Sequence, residues 1–179
     1  TFDFVDFNVL IGQDDIVDTF TLAGGSISAG GSIAGGSGAV NDVIQSVTAT
    51  TWNITGVDTG DLTGVPAFSA IEVLQGGPAV DNFVFSDPGS FKNVLSGGGT
   101  VGDGIVDVID FSAKTSAVSV DLANANYVSI ESYIGNNPDG NPPNYSSTLT
   151  GPNTTNTWTV SGTNSGDIDG ILFSGFNNL

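Results

Sequence analysis

The sequence predicts an all-β chain wound as a parallel β-solenoid (β-helix) with Gly- and Asp-rich turns. Three observations carry that expectation. Apolar and polar residues alternate over short runs, and no stretch has helical spacing. Turn signals bound those runs, as in "AGG", "QGGP", "SGGG" and "GDG". The chain also repeats itself. Thr51–Gly64 reads "TWNITGVDTGDLTG" and Thr157–Gly170 reads "TWTVSGTNSGDIDG", identical at six of fourteen positions.

The elements follow in order. Phe20 and Leu22 share one face of "DTFTL". Trp52 and Ile54 do so in "TWNIT", opposite Thr51, Asn53 and Thr55. Phe83 and Phe85 pair in "DNFVF", and Val118, Val120 and Leu122 alternate with Ser119 and Asp121. Each is the period-2 pattern of a half-buried strand. The segment near 135–156 is rich in Asn, Pro, Ser and Thr and reads as a loop-like insertion, with one weak strand near Ser147–Thr150.

The repeat extends beyond the Trp sentence. Phe4, Phe68 and Phe173 correspond, as do Leu10, Leu74 and Leu179. "VDTFTL" at Val17 matches "VDNFVF" at Val80, and "NDVI" at Asn41 matches "VDVI" at Val106. Ile130-Glu131 repeats Ile71-Glu72. Residues 1–179 thus read as one continuous segment, with units at about 4–67 and 68–172 and a third starting at 173–179. The second unit carries its extra residues between Lys114 and Asn156. A solenoid tolerates such unequal copies, because added residues leave the stack as loops. The alternative is an immunoglobulin-like sandwich. The chain starts and stops inside one signature, as expected of a window from a longer array. Its expected partners are neighbouring repeats or end-to-end copies.

Composition bounds the function. The 179 residues carry 19 acids against Lys92 and Lys114, a net charge of −17, and all the acids but Glu72 and Glu131 are Asp. Such a surface repels nucleic acid and anionic membranes. Asp belongs to turns, caps and cation sites. There is no Cys, hence no disulfide or thiol chemistry, and no apolar run reaches the length of a membrane span. The adjacent pair Asp14-Asp15 points to opposite faces if extended, so it reads as a solvated turn rather than an acid–base couple. Trp52 and Trp158 alternate with Thr. They read as core, with sugar-stacking platforms as the other reading. N-x-S/T triplets stand at Asn53, Asn144 and Asn153.

"TNTWTVSGTNSGDIDGILFSGFNNL", "IEVLQGGPAVDNFVF" and "SGGGTVGDGIVDVIDFS" together resemble repeats of giant bacterial surface proteins, the filamentous-haemagglutinin-like and repeats-in-toxin-like adhesins. The resemblance covers about four-fifths of the chain. It implies a secreted, elongated, non-catalytic structural protein at the cell surface, used in adhesion, filaments or biofilm matrix. Alternatives are a calcium- or glycan-binding module of an adhesin, or a polysaccharide-active β-helix enzyme. The repeats-in-toxin calcium nonapeptide is G-G-x-G-x-D-x-U-x. "GGPAVDNFV" departs from it at Ala79, and "GGTVGDGIV" departs at Val101. Asp103, Asp107 and Asp81 are the candidate calcium ligands. The competing role for them is bracing turns.

Overall fold

The computed structural model describes residues 7–100, 102–137 and 145–179; Phe4, Val101 and Asn144 lie outside them. Among the described residues there are eighteen strands and no helix. No described helix is therefore long and apolar enough to cross a membrane.

The first strands are β1 (Val9–Ile11), β2 (Thr19–Leu22), β3 (Ser32–Ala34) and β4 (Val43–Ser46). A hairpin pair follows: β5 (Thr50–Gly56), β6 (Thr59–Leu62) and β7 (Val65–Ser69). Single strands resume as β8 (Val73–Gln75), β9 (Asp81–Phe85), β10 (Val94–Ser96) and β11 (Val108–Asp110). Then come β12 (Val118–Asp121), β13 (Tyr127–Val128), β14 (Ser132–Ile134) and β15 (Ser147–Thr150). A second hairpin pair, β16 (Trp158–Gly162), β17 (Ser165–Ile168) and β18 (Ile171–Ser174), ends the series.

The strands form three sheets, none of which closes. An eleven-stranded sheet runs β1-β3-β7-β6-β5-β9-β11-β14-β18-β17-β16, a five-stranded one β13-β10-β8-β4-β2, and β12 pairs with β15. Pairing is mostly parallel. Among the described residues, antiparallel pairs, the rule in an immunoglobulin-like sandwich, occur only within the two hairpin sets.

Register follows the alternation, because a one-residue slip would turn every apolar side chain outward. Trp52, Phe83, Ile109, Tyr133 and Phe173 stand in one row across parallel neighbours. Phe20, Ile44, Leu74, Leu95 and Tyr127 make the matching row of the five-stranded sheet. Both rows belong to one apolar core. The weak strand expected at Ser147–Thr150 is β15, and its Leu149 is fully buried.

The Trp sentence encodes the hairpins. Trp52 faces Leu62, and Trp158 faces Ile168, at matching positions. The second turn residues, Asp58 and Asn164, have φ of 50° and 52°, a left-handed geometry that Asp and Asn tolerate. Gly60 and Gly166 recur because a Cβ there would lie 1.9 Å from the Asn53 carbonyl oxygen and 2.0 Å from that of Thr159. Parallel strands alone, as the sequence suggested for this stretch, are therefore corrected to antiparallel ribbons set into a parallel array.

Candidate functional site

Two of the candidate acids, Asp81 and Asp107, belong to one of two hydrogen-bond ladders of the same design. In the second unit, Asp81 begins β9 and is fully buried. Its carboxylate accepts the Gly77 N–H at 3.0 Å through Oδ2 and the Trp52 Nε1–H at 3.3 Å through Oδ1. The Asp81 N–H donates to Asp107 Oδ1 at 2.7 Å, and the Asp107 N–H donates to Glu131 Oε2 at 2.9 Å. In the first unit the Gln13 N–H donates to Asp18 Oδ2 at 2.6 Å, Asp18 N–H to Asp42 Oδ1 at 2.7 Å, and Asp42 N–H to Glu72 Oε2 at 3.0 Å. The members correspond through the sequence matches: Asp18 with Asp81, Asp42 with Asp107, Glu72 with Glu131.

One step of the ladder occurs a third time without a carboxylate. Glu72 and Val73 both donate their N–H to the Asp42 carbonyl, and Glu131 and Ser132 do so to that of Asp107. Asn177 and Asn178 donate in the same way to Ser147, whose own N–H reaches Asn177 Oδ1 at 2.9 Å. The paired glycines of the nonapeptides make room for this arrangement. A Cβ on Gly76 would sit 2.5 Å from Asp81 Oδ2 and 2.2 Å from the Gly97 carbonyl oxygen.

The structure thus brings Asp81 and Asp107 together with Glu131. Asp103 lies on an exposed turn, where Oδ2 accepts the Thr100 N–H at 3.1 Å and Oδ1 the Ile105 N–H at 2.8 Å. Those bonds hold its carboxyl below the ordinary value. Burial pushes Asp81 up to about 6, against the donors Gly77, Trp52 and Thr50. Asp107 also rises to about 6, first through burial and then through the charges of Glu131, Asp81 and Asp103, although the Asp81 N–H opposes the shift. Among the described residues no group of three or more acidic side chains is placed to hold a metal ion.

The remaining candidates find structural places. Asp14 accepts the Ser37 N–H at 2.8 Å, and Asp15 turns the chain with φ of 58°. Trp52 is fully buried, whereas Trp158 is half-buried. Both bases are paired, Lys92 with Asp58 and Lys114 with Asp87, each at 3.1 Å. Asp87 also accepts from Thr115 N–H, Thr115 Oγ1 and Ser116 Oγ, and these bonds lower its carboxyl. That clamp left no signal in the periodicity; the run Lys-Thr-Ser at 114–116 was its only trace. A buried polar knot at Asn136 and Ser147 was equally silent.

Comparison with family models, curated proteins and solved structures gives no match to this chain.

Proposed function

We propose that this chain is a structural, non-catalytic segment of a secreted bacterial surface fibre of adhesive type, wound as one continuous parallel β-solenoid. The observation that carries the reading is the ladder step made three times, at the matched positions Asp42 and Asp107 and again at Ser147. A chain that rebuilds the same backbone bond from a Glu, a Glu and an Asn is conserving a stacking device rather than a chemistry. The ladder carboxylates each accept a backbone N–H, which leaves them poorly placed as acid, base or nucleophile. The resemblance to adhesin repeats supports the surface location, with surface glycans and other cells as contacts.

Two measurements test it. Small-angle scattering of the purified chain should give the profile of a rod of constant cross-section, and a compact sphere-like profile would remove the solenoid. Gold-labelled antibodies against the chain should decorate fibres outside the producing cell, and label confined to the cytoplasm would remove the surface role.

On this reading Asp103, Asp107 and Asp81 brace turns and need no ion. Calcium and sodium at matched ionic strength should then give one melting temperature, because only an ion bound by the folded state would add stability. A calcium-specific rise that Asp103→Asn abolishes would establish the calcium-binding module instead.

A further inference from the structure

We infer that β16 is a docking edge for β2 of a second copy of this chain, joining copies head to tail. The internal repeat supplies the template. β5 and β16 are equivalent strands, as are β9 and β2. Inside the chain β5 pairs in parallel with β9, setting Trp52 beside Phe83 and Ile54 beside Phe85. Trp52 stacks on Phe83 with ring centroids 5.6 Å apart. At β16 and β2 the same two surfaces are open among the described residues. Among the described residues β16 pairs only with β17 and β2 only with β4.

Burial at these positions shows what is missing. Ile54 is fully buried, while its equivalent Val160 is 64% exposed. Phe83 and Phe85 are buried, while Phe20 and Leu22 are only partly buried. The polar groups agree. Asp81 Oδ1 takes the Trp52 Nε1–H. Among the described residues its equivalent, Asp18 Oδ1, accepts no hydrogen bond, and Trp158 Nε1 has no acceptor. One docking step would place Trp158 on Phe20 of the next copy, Val160 beside Leu22, and the indole N–H on Asp18.

Electrostatics allow copies to meet at these two edges. The chain carries −17, so most surfaces repel each other. The strands "TFTL" and "WTVSG" carry no charge. Strand addition at an open edge supplies main-chain hydrogen bonds along with side-chain rows. A patch on one end meeting a different patch on the other is a heterologous contact, which propagates unless it closes into a ring. The seat beside β15 is already held by Asn178, bridged to Thr148. Docking therefore exchanges Asn177–Leu179 for Asn8–Leu10 of the incoming copy.

The inference rests on the solenoid reading, and the two fail separately. In the predicted register Thr159 lies next to Thr21 of the neighbouring copy, both on the outer face. The Thr21→Cys/Thr159→Cys double variant should give a ladder of disulfide-linked multimers on oxidation, since adjacent strands bring Cα atoms within bonding range. Thr19→Cys/Thr159→Cys, two residues out of register, should give far less. Sedimentation at about 0.15 M salt or above, where repulsion is screened, should show wild type growing with concentration. V160K changes only an exposed position of the folded monomer and should remain a monomer at every concentration. A concentration-independent wild-type monomer, or equal cross-linking of the two double variants, overturns the docking. A rod-like scattering profile alongside that result leaves the solenoid standing.

Discussion

Replacing Trp52 by alanine should destabilise the fold by about 3–5 kcal/mol, the range for removing a buried aromatic side chain. Trp52 has no exposed surface, stacks on Phe83 and donates its indole N–H to the buried Asp81. The variant loses apolar burial and leaves a cavity. It also removes a donor from a buried carboxylate, which adds to the cost. Trp158→Ala should cost much less, on the order of 1 kcal/mol. Trp158 is half-buried, and its ring touches Phe173 edge-on, with centroids 5.7 Å apart. Denaturant unfolding of both variants at low protein concentration measures the difference. Equal losses would mean that Trp158 is covered in solution.

That pair shows how far the sequence could be read. Equivalence of the two tryptophans was legible in the Trp sentence, and their registers against Leu62 and Ile168 agree. Equal burial was not to be had from it, because burial depends on the neighbour that a strand pairs with. Among the described residues β5 lies between two strands, whereas β16 has one neighbour. In the same way Phe83 and Phe85 lie fully inside as their alternation demands, yet Phe20 and Leu22, with the same alternation, stay only partly buried at an edge.

The hairpins were hidden by a different ambiguity. Period 2 marks a strand but not the direction of its partner. The two-residue turns Val57-Asp58 and Thr163-Asn164 were the available signal, since a short turn with a left-handed Asp or Asn joins antiparallel strands. The ladders were harder still. Composition placed Asp at turns, and the repeat aligned Asp18 with Asp81 and Asp42 with Asp107. Nothing in the pattern says that a carboxylate will face the backbone N–H of an acid some 24 to 30 residues away. That bond is a product of parallel stacking and becomes visible only once the strands are in register.

The ladder at Asp107 should make the protein more stable in mild acid than at neutral pH. In the folded state Asp81 and Asp107 hold their protons up to about 6, against an ordinary value of 3.8. Between those values the folded chain binds more protons than the unfolded one, so stability falls as pH rises through the window. Asp14, Asp87 and Asp103 are shifted the opposite way. Their contribution is lost only as pH drops below the ordinary carboxylate range. The melting temperature should therefore peak at about pH 4, at the foot of that window, and decline as pH rises to about 6. Two variants separate the ladder from general relief of the −17 charge. Asp107→Asn keeps an oxygen for the Asp81 N–H and removes the titrating group. It should reduce the decline between about pH 4 and 6, leaving the part due to Asp81, and match or exceed wild type at neutral pH. Asp107→Ala removes the acceptor as well and leaves a buried N–H unpaired, which should cost about 1–3 kcal/mol at any pH. An unchanged slope in Asp107→Asn would place the titration elsewhere among the acids. A neutral effect of Asp107→Ala would show that water reaches the Asp81 N–H and that the ladder does not hold the two strands together.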